Sequence, residues 1–427
     1  MTHESGDDST YELQIGPFIE EDIQNLMNNI NKSVTPNKKW SLLINDVDRF
    51  HPPLANWIHH HFSFIPTWRR DDGQFSLAQR GGGIGPHVDN YDVFLIQTHG
   101  QREWNIYPYF LSPMEEMKYI RPGLDIRILN NLDLDLDLDL DLDLDLDPTC
   151  VWKSFTLKPG DCLYLPPRVP HHGIALTDDC ITLSVGCRAP SSLDVLSNLV
   201  EDMTQMNKSI QRYQDPNLLM DNPSHHRDHD NDHHDHHSSA EITHKAKEKA
   251  KQMVKESLFQ LLDNDDEWDR WFGSFVTEPK RMRTDYPISL TWDNNNHDNN
   301  NHDDNFDIQD HTEWLKSLGV WGNSKEAVKS MLNGHGALYQ AEGITFAYSH
   351  KIISQPSETM QIQNQCRLRL FVNGISWDIQ NQYAPIDVIA NERRITHESF
   401  KGVKICDEMI SILEDLVQRG LLYGSDE

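Results

Sequence analysis

Three low-complexity stretches decide what this chain can build. From Leu132 to Asp147, Leu and Asp alternate strictly, eight of each. The alternation has the period of a half-buried strand. Consecutive Asp on one face would repel, however, and no partner pattern follows, so a loop expansion is expected. Residues 225–237 hold seven His among four Asp, and residues 293–307 are rich in Asn, Asp and His. Such segments bury too little apolar area to offset the entropy of ordering them. They leave three parts of the 427-residue chain able to fold.

The formal charge is −29, of which the three stretches carry a net −16, leaving about −13 for the rest. This argues against a nucleic-acid binder that works through net positive charge and suits a basic protein partner. No apolar run approaches the length of a membrane span. The acidic, polar residues 1–8 resemble neither a signal nor a transit peptide. Six cysteines without CxxC spacing are expected as free thiols in a reducing compartment. The expected location is the cytoplasm, with the nucleus, nucleolus or an organelle as alternatives.

The first part, residues 1–190, carries strand and turn signals. Asp92–Gln97, Phe155–Leu157, Cys162–Leu165 and Cys180–Cys187 are short apolar runs, with Lys158-Pro159-Gly160-Asp161 as a turn. They suggest a β sandwich or barrel. The second part, residues 191–280, is helical. Ser191 is placed to cap a helix with Asp194 at its third position, and Leu193, Leu196, Leu199, Val200, Met203 and Met206 follow at helical spacing. A second stripe runs from Ile242 to Leu262, followed by Trp268, Trp271, Phe272 and Phe275. These stripes are either core-facing or a dimer surface. Residues 281–310 read as a linker. In residues 311–427, Leu338–Tyr348 and Arg367–Asp378 read as strands, the latter with an Asn373-Gly374 hairpin turn. Asp407–Arg419 reads as an amphipathic helix. Small helices with a hairpin suggest a winged helix, but without a basic recognition helix no direct DNA binding is expected.

The chemistry lies in Gly81–Trp104, GGGIGPHVDNYDVFLIQTHGQREW. His87 and Asp89 form H-x-D, which on a strand puts imidazole and carboxylate on one face. Gly81–Gly85 permits close backbone approach, and Pro86 fixes the entry to His87. A later His would complete a two-His, one-carboxylate triad, which leaves open positions and suits non-haem Fe(II). The segment Leu163–Gly173 presents His171 and His172 from a Pro-rich turn. Adjacent residues point to opposite sides, so one of them is the ligand, and His171 is the expected one. Arg102 could grip the far carboxylate of a dicarboxylate cosubstrate bidentately, with Glu103 facing the other way. Tyr91 and Asp92 are candidates for shaping the pocket.

Gly81–Trp104 resembles the G-G-G-x-G-P-H-x-D-x-Y-D-V-F-x-x-Q…G-x-R-x-W signature of the JmjC-type ribosomal oxygenases. Leu163–Gly173 resembles their Y-x-P-P-x-x-P-H-x-G segment, and Ser184–Pro190 their S-x-G-x-R-A-P. Trp40–Phe50 and the Trp268–Phe275 region are similar as well. The resemblance is nearest to the bacterial branch, which hydroxylates an arginine of a large-subunit ribosomal protein. It implies an α+β chain with a double-stranded β-helix (jelly roll, cupin) catalytic domain, a helical dimerisation region and a winged-helix-like C-terminal domain. It implies Fe(II) held by His87, Asp89 and His171, 2-oxoglutarate gripped by Arg102, O₂ as oxidant, a ribosomal protein as substrate and a homodimer. Histidyl hydroxylation and histone lysine demethylation are the enzymatic alternatives. A metal-binding scaffold using the His-rich stretches is the non-enzymatic one. The chain departs from the family pattern in two ways. His87 and His171 are about 84 residues apart, an excess largely due to the Leu-Asp run, and only about forty residues precede Trp40. The barrel is therefore expected to lack early edge structure or the chain to be truncated at its start.

Overall fold

The computed structural model describes residues 2–4, 14–16, 18–19, 21–24, 39–107, 109–120, 128–129, 153–205, 212–213, 242, 244–278, 320–321, 324–351, 367–381 and 383–425. The Leu-Asp run, the His-rich stretch and the 281–310 linker lie outside the described residues.

The N-terminal part is a sandwich of two antiparallel sheets. The larger has the strand order β1-β2-β3-β9-β4-β7, from Thr2–Glu4 (β1), Lys39–Ile44 (β2), Arg70–Ala78 (β3), Cys180–Cys187 (β9), Val93–His99 (β4) and Cys162–Leu165 (β7). The smaller has the order β6-β5-β8, from Lys153–Leu157 (β6), Arg102–Ile106 (β5) and His171–Ala175 (β8). The predicted strand-turn-strand at Phe155–Leu165 is present, but it joins the two sheets rather than making a hairpin. Gly160, at φ +95°, and the Asp161 carboxylate accepting from the Lys158 amide at 2.8 Å form that turn. Val93, Leu95 and Leu165 of the larger sheet meet Trp104 and Leu157 of the smaller across the interior. β1 lies beside β2 at the edge where early structure was expected to be missing. Helix α1 (Val47–Phe50) and helix α2 (Pro52–His61) follow β2, and α2 packs on the outer face of the larger sheet through Leu54 and Ile58, with Phe62 and Phe75 beside them.

After helix α3 (Pro113–Tyr119) and the barrel's remaining strands come three longer helices. In α4 (Ser192–Gln205) the predicted cap is present. The Ser191 hydroxyl accepts from the Asp194 amide at 3.1 Å, and the Asp194 carboxylate accepts from the Ser191 amide at 2.8 Å. α5 (His244–Leu262) begins after Ile242, so that residue stands outside the stripe predicted to include it. In α6 (Asp265–Thr277), Trp271, Phe275 and Val276 pack with Leu199 of α4 and with Trp68 of the barrel.

The C-terminal unit holds two more antiparallel sheets, β10-β16-β11-β15 and β12-β13-β14, in which β10 is Val320–Trp321, β15 is Arg394–Ile395 and β16 is Leu422–Ser425. The predicted Leu338–Tyr348 strand is two strands, Ala337–Gln340 (β11) and Phe346–Lys351 (β12), in different sheets. A turn at Gly343, φ +68°, separates them. The Arg367–Val372 (β13) and Ile375–Ile379 (β14) hairpin turns at Asn373 and Gly374, both with positive φ, as predicted. Helices α7 (Ser324–Leu332), α8 (Ile386–Asn391) and α9 (Asp407–Gln418) close over one core. The two sheets are more strand than the small helices and hairpin read from the sequence. Arg369 on β13 ties this unit to α6 through Asp266 and Asp269 at 2.8 and 2.7 Å.

Candidate active site

The H-x-D segment is not a strand. Gly85, at φ +102°, and Pro86 lead into an irregular stretch, and His87 forms an isolated bridge with His171 on β8. The two residues exchange backbone hydrogen bonds at 3.0 and 2.9 Å. Asp89 is fixed by its own carbonyl, which accepts from the Arg168 amide at 2.7 Å. Cross-strand register therefore brings the residues together, not strand periodicity.

One candidate ligand atom from each of His87, Asp89 and His171 lies within 4.8 Å of the others. His171 Nε2 and Asp89 Oδ2 are 3.6 Å apart, and the two imidazole centroids are 4.2 Å apart. Each Nδ1 sits against a backbone carbonyl two residues back, Gly85 O at 2.8 Å for His87 and Val169 O at 3.0 Å for His171. Nδ1–H donating there leaves both Nε2 lone pairs for a metal, the usual outer-shell arrangement for ligating histidines. Burial, and then the neighbouring His87, push the His171 pKa well below its usual value, so the ring is neutral. His172 faces away from the triad's bridge. Its buried Nε2 has no partner among the described residues, and burial lowers its pKa to about 4.

Arg102 is 1% exposed inside the barrel. Its guanidinium donates to the Ser76 hydroxyl at 3.1 Å, the Ser76 carbonyl at 3.4 Å and Cys180 Sγ at 3.4 Å. No carboxylate pairs with it among the described residues. A buried cation without a counter-ion is costly, and the site therefore fits an anionic ligand. Trp104, two residues on and on the same face, lies between Arg102 (5.7 Å, guanidinium carbon to ring) and His171 (5.8 Å, ring to ring). The interior is tight here. A Cβ on Gly173 would come within 2.7 Å of the Trp104 ring, and one on Gly83 within 2.3 Å of the Gly173 carbonyl.

At the mouth, Tyr91 hydrogen-bonds Asp89, and its phenol pKa is raised by burial and then by Asp89, Asp72 and Asp71. Asp92 accepts from Tyr164 Oη at 2.7 Å and pairs with Arg69 at 3.2 Å, so it braces the wall of the site. Arg168, with positive φ, bonds Asn90 at 2.7 Å and the buried Glu116. Ser76, Cys180, Asp71, Asp72 and Glu116 were not singled out by sequence. Asp71, Asp72 and Ser76 lie on β3, Cys180 on β9 and Glu116 on α3, all outside the motif, and only their placement in the fold gives them a part. The acidic pair Asp71-Asp72 at the start of β3 was the one readable signal.

Residues 57–195 match the JmjC domain family. The chain is 33% identical over 198 residues to a probable ribosomal oxygenase of Haemophilus influenzae, covering 46% of this chain and 40% of that protein. It is 29% identical over 241 residues to the ribosomal protein uL16 3-hydroxylase of Escherichia coli, covering 56% and 53%. The chain thus spans about half the length of the curated relatives it matches. In fold it is similar to the E. coli ribosomal oxygenase YcfD, with a TM-score of 0.60 and 22% identity over 99% of this chain and 86% of that one. It is similar as well to that protein's complex with cobalt and 2-oxoglutarate, with a TM-score of 0.58 and 21% identity over 99% and 86%.

Proposed function

We propose that this protein, whose residues 57–195 match the JmjC domain family, is a 2-oxoglutarate- and Fe(II)-dependent dioxygenase that hydroxylates a ribosomal-protein side chain, arginine first among the candidates. The observation that carries it is the pairing of a two-His, one-carboxylate triad with a buried Arg102 that has no counter-ion among the described residues, in the same barrel interior. His87, Asp89 and His171 would hold Fe(II), and Arg102 the distal carboxylate of 2-oxoglutarate. When bound, these supply oxidative decarboxylation to succinate and CO₂ coupled to hydroxylation by O₂. The chain's own part is to fix both imidazole tautomers, neutralise the cosubstrate and exclude water through Trp104 and the glycine contacts. The E. coli relatives act on uL16 and bind cobalt with 2-oxoglutarate, which supports both assignments.

Arginine is favoured because Asp71 and Asp72 stand beside Tyr91 next to the metal-binding Asp89, an acidic and aromatic wall suited to a guanidinium. Residues 1–190 would form the catalytic domain. Residues 191–280 would form a homodimer, since Leu193, Leu196, Val200, Val254 and Phe259 of α4 and α5 stay exposed. Residues 311–427 would form a winged-helix-like domain without direct DNA contact, and the protein would work in the cytoplasm. The test is incubation with Fe(II), 2-oxoglutarate, ascorbate and peptides from large-subunit ribosomal proteins. A +16 Da product on an Arg peptide, absent with His171→Ala, is expected. Modification of His peptides alone would move the substrate to histidine.

A further inference from the structure

Trp104 is more than a filler of the barrel. It is 4% exposed, and its Nε1 is buried with no acceptor among the described residues. A phenylalanine would pack against Gly173, Val93, Leu95, Leu157 and Leu165 without carrying a polar atom into that interior. Leaving an N–H donor dry and unmatched is unfavourable, so the choice of indole calls for an acceptor. The orientation of the ring says where that acceptor lies. The atoms that crowd Gly173 are Cε3, Cζ3 and Cη2, the edge opposite Nε1. The N–H edge is thus the one not packed on Gly173, in a ring whose centre lies 5.7 Å from the Arg102 guanidinium carbon and 5.8 Å from the His171 ring. A dicarboxylate reaching from the metal site to Arg102 has to cross that interval.

We propose that Trp104 is a cosubstrate-binding residue whose indole N–H donates a hydrogen bond to a carboxylate oxygen of 2-oxoglutarate. The assignment rests on the reading of Arg102 and the triad given above. It adds a neutral donor between the two charged anchors, one that favours ligands with an oxygen at that point. Metal binding does not depend on it.

The test measures 2-oxoglutarate affinity by calorimetry on the full chain loaded with Mn(II) under argon, for the parent, Trp104→Phe and Arg102→Met. Trp104→Phe should weaken 2-oxoglutarate binding about tenfold, as expected for a hydrogen bond to a charged group, with Mn(II) affinity within about twofold of the parent. Binding within twofold in Trp104→Phe while Arg102→Met binds weakly would overturn the role of Trp104 alone. Parent-like binding in both variants, or none in the parent, would overturn the cosubstrate reading and this inference with it. The indole ¹H–¹⁵N spectrum of the Zn(II)-loaded parent covers the case in which Trp104→Phe does not fold. One buried indole resonance should move downfield and gain protection from exchange on adding 2-oxoglutarate, and the absence of any such shift at saturation would overturn the proposal.

Discussion

The C-terminal unit closes on an apolar cluster of twenty-four buried residues, among them Leu338, Leu370, Ile379, Ile389, Met409, Leu413 and Leu416, and the polar groups it buries beside them, Arg369, Glu342 and Gln340, are ion-paired or hydrogen-bonded. The barrel interior instead buries Ser41, Ser76, Gln97, Arg102, His171 and Thr182, each 3% exposed or less, among smaller apolar clusters. Some of these polar groups satisfy one another. Thr182 donates to Gln97 at 2.9 Å, and Gln97 reaches the His99 carbonyl at 2.7 Å. Arg102 reaches Ser76 and Cys180 but has no counter-ion among the described residues. An apolar core of this kind gains stability from every buried side chain. A polar interior gives some of that up and leaves groups whose desolvation is recovered only when a ligand arrives. The large apolar core and the candidate site are thus housed in different parts of one chain, joined through α6, which packs against Trp68 of the barrel and pairs with Arg369 of the C-terminal unit.

The largest expected effect tests the chemical half. Asp89→Ala removes the triad's one anion and should abolish succinate formation, with metal affinity reduced by at least about a hundredfold. Full turnover in that variant would remove the metal assignment. The folded state should survive, because Asp89 contributes nothing to the apolar clusters. The mirror experiment is Leu413→Ala, in a side chain with 0% exposure at the centre of the C-terminal core. Its denaturation free energy should fall by about 2–5 kcal/mol, while succinate formation per folded molecule stays within about twofold. A loss of activity larger than the loss of folded protein would mean the C-terminal unit takes part in the chemistry.

Arg102→Met sharpens the contrast inside the barrel. Affinity for 2-oxoglutarate should drop by about ten- to a hundredfold, equivalent to roughly 1.5–3 kcal/mol. Stability without ligand should stay level or rise, because an apolar side chain of similar length replaces a buried charge that lacks a counter-ion. A protein that unfolds on this change would show that Ser76 and Cys180 compensate the guanidinium and that its role is structural.

The two halves were not equally legible in sequence. The triad could be read because each of its residues sits in a dense local motif, although its geometry arises from the His87–His171 bridge rather than from the strand that H-x-D suggests. Arg102 could be read as a cation after a turn, but its partners could not. Ser76 on β3 and Cys180 on β9 reach it only through the register of one sheet packed against the other. In the C-terminal unit, Asn373-Gly374 announced its hairpin because a two-residue turn with positive φ needs those residues. The β11–β12 boundary was missed because Ala341 and Ile344 continue the apolar run through the turn, and only the conformation of Gly343 breaks it.

The smallest effect lies at the seam between the halves. Asp48 follows β2, its Oδ1 accepting from the Gly73 amide at 2.7 Å. It lines a cavity between barrel and C-terminal unit together with Arg49, His59, Arg70 and Arg393. Burial, and then the charge of Asp72, raise its pKa from 3.8 to about 6. The folded protein therefore holds this proton more tightly than the unfolded chain does. The stability that Asp48 contributes is complete below pH 3.8 and is lost as the pH rises through about 6. Asp48→Asn keeps an oxygen for the Gly73 amide and removes the titration. The stability of the Asn variant relative to the parent should then climb by about 1–2 kcal/mol between pH 4 and pH 7. Taking the difference between two proteins cancels every other carboxylate, so chemical denaturation at four or five pH values suffices. A difference that stays flat across this range would place the Asp48 carboxylate in contact with a compensating cation, and the seam would then be an ion-paired joint rather than a point where the polar barrel strains against its apolar neighbour.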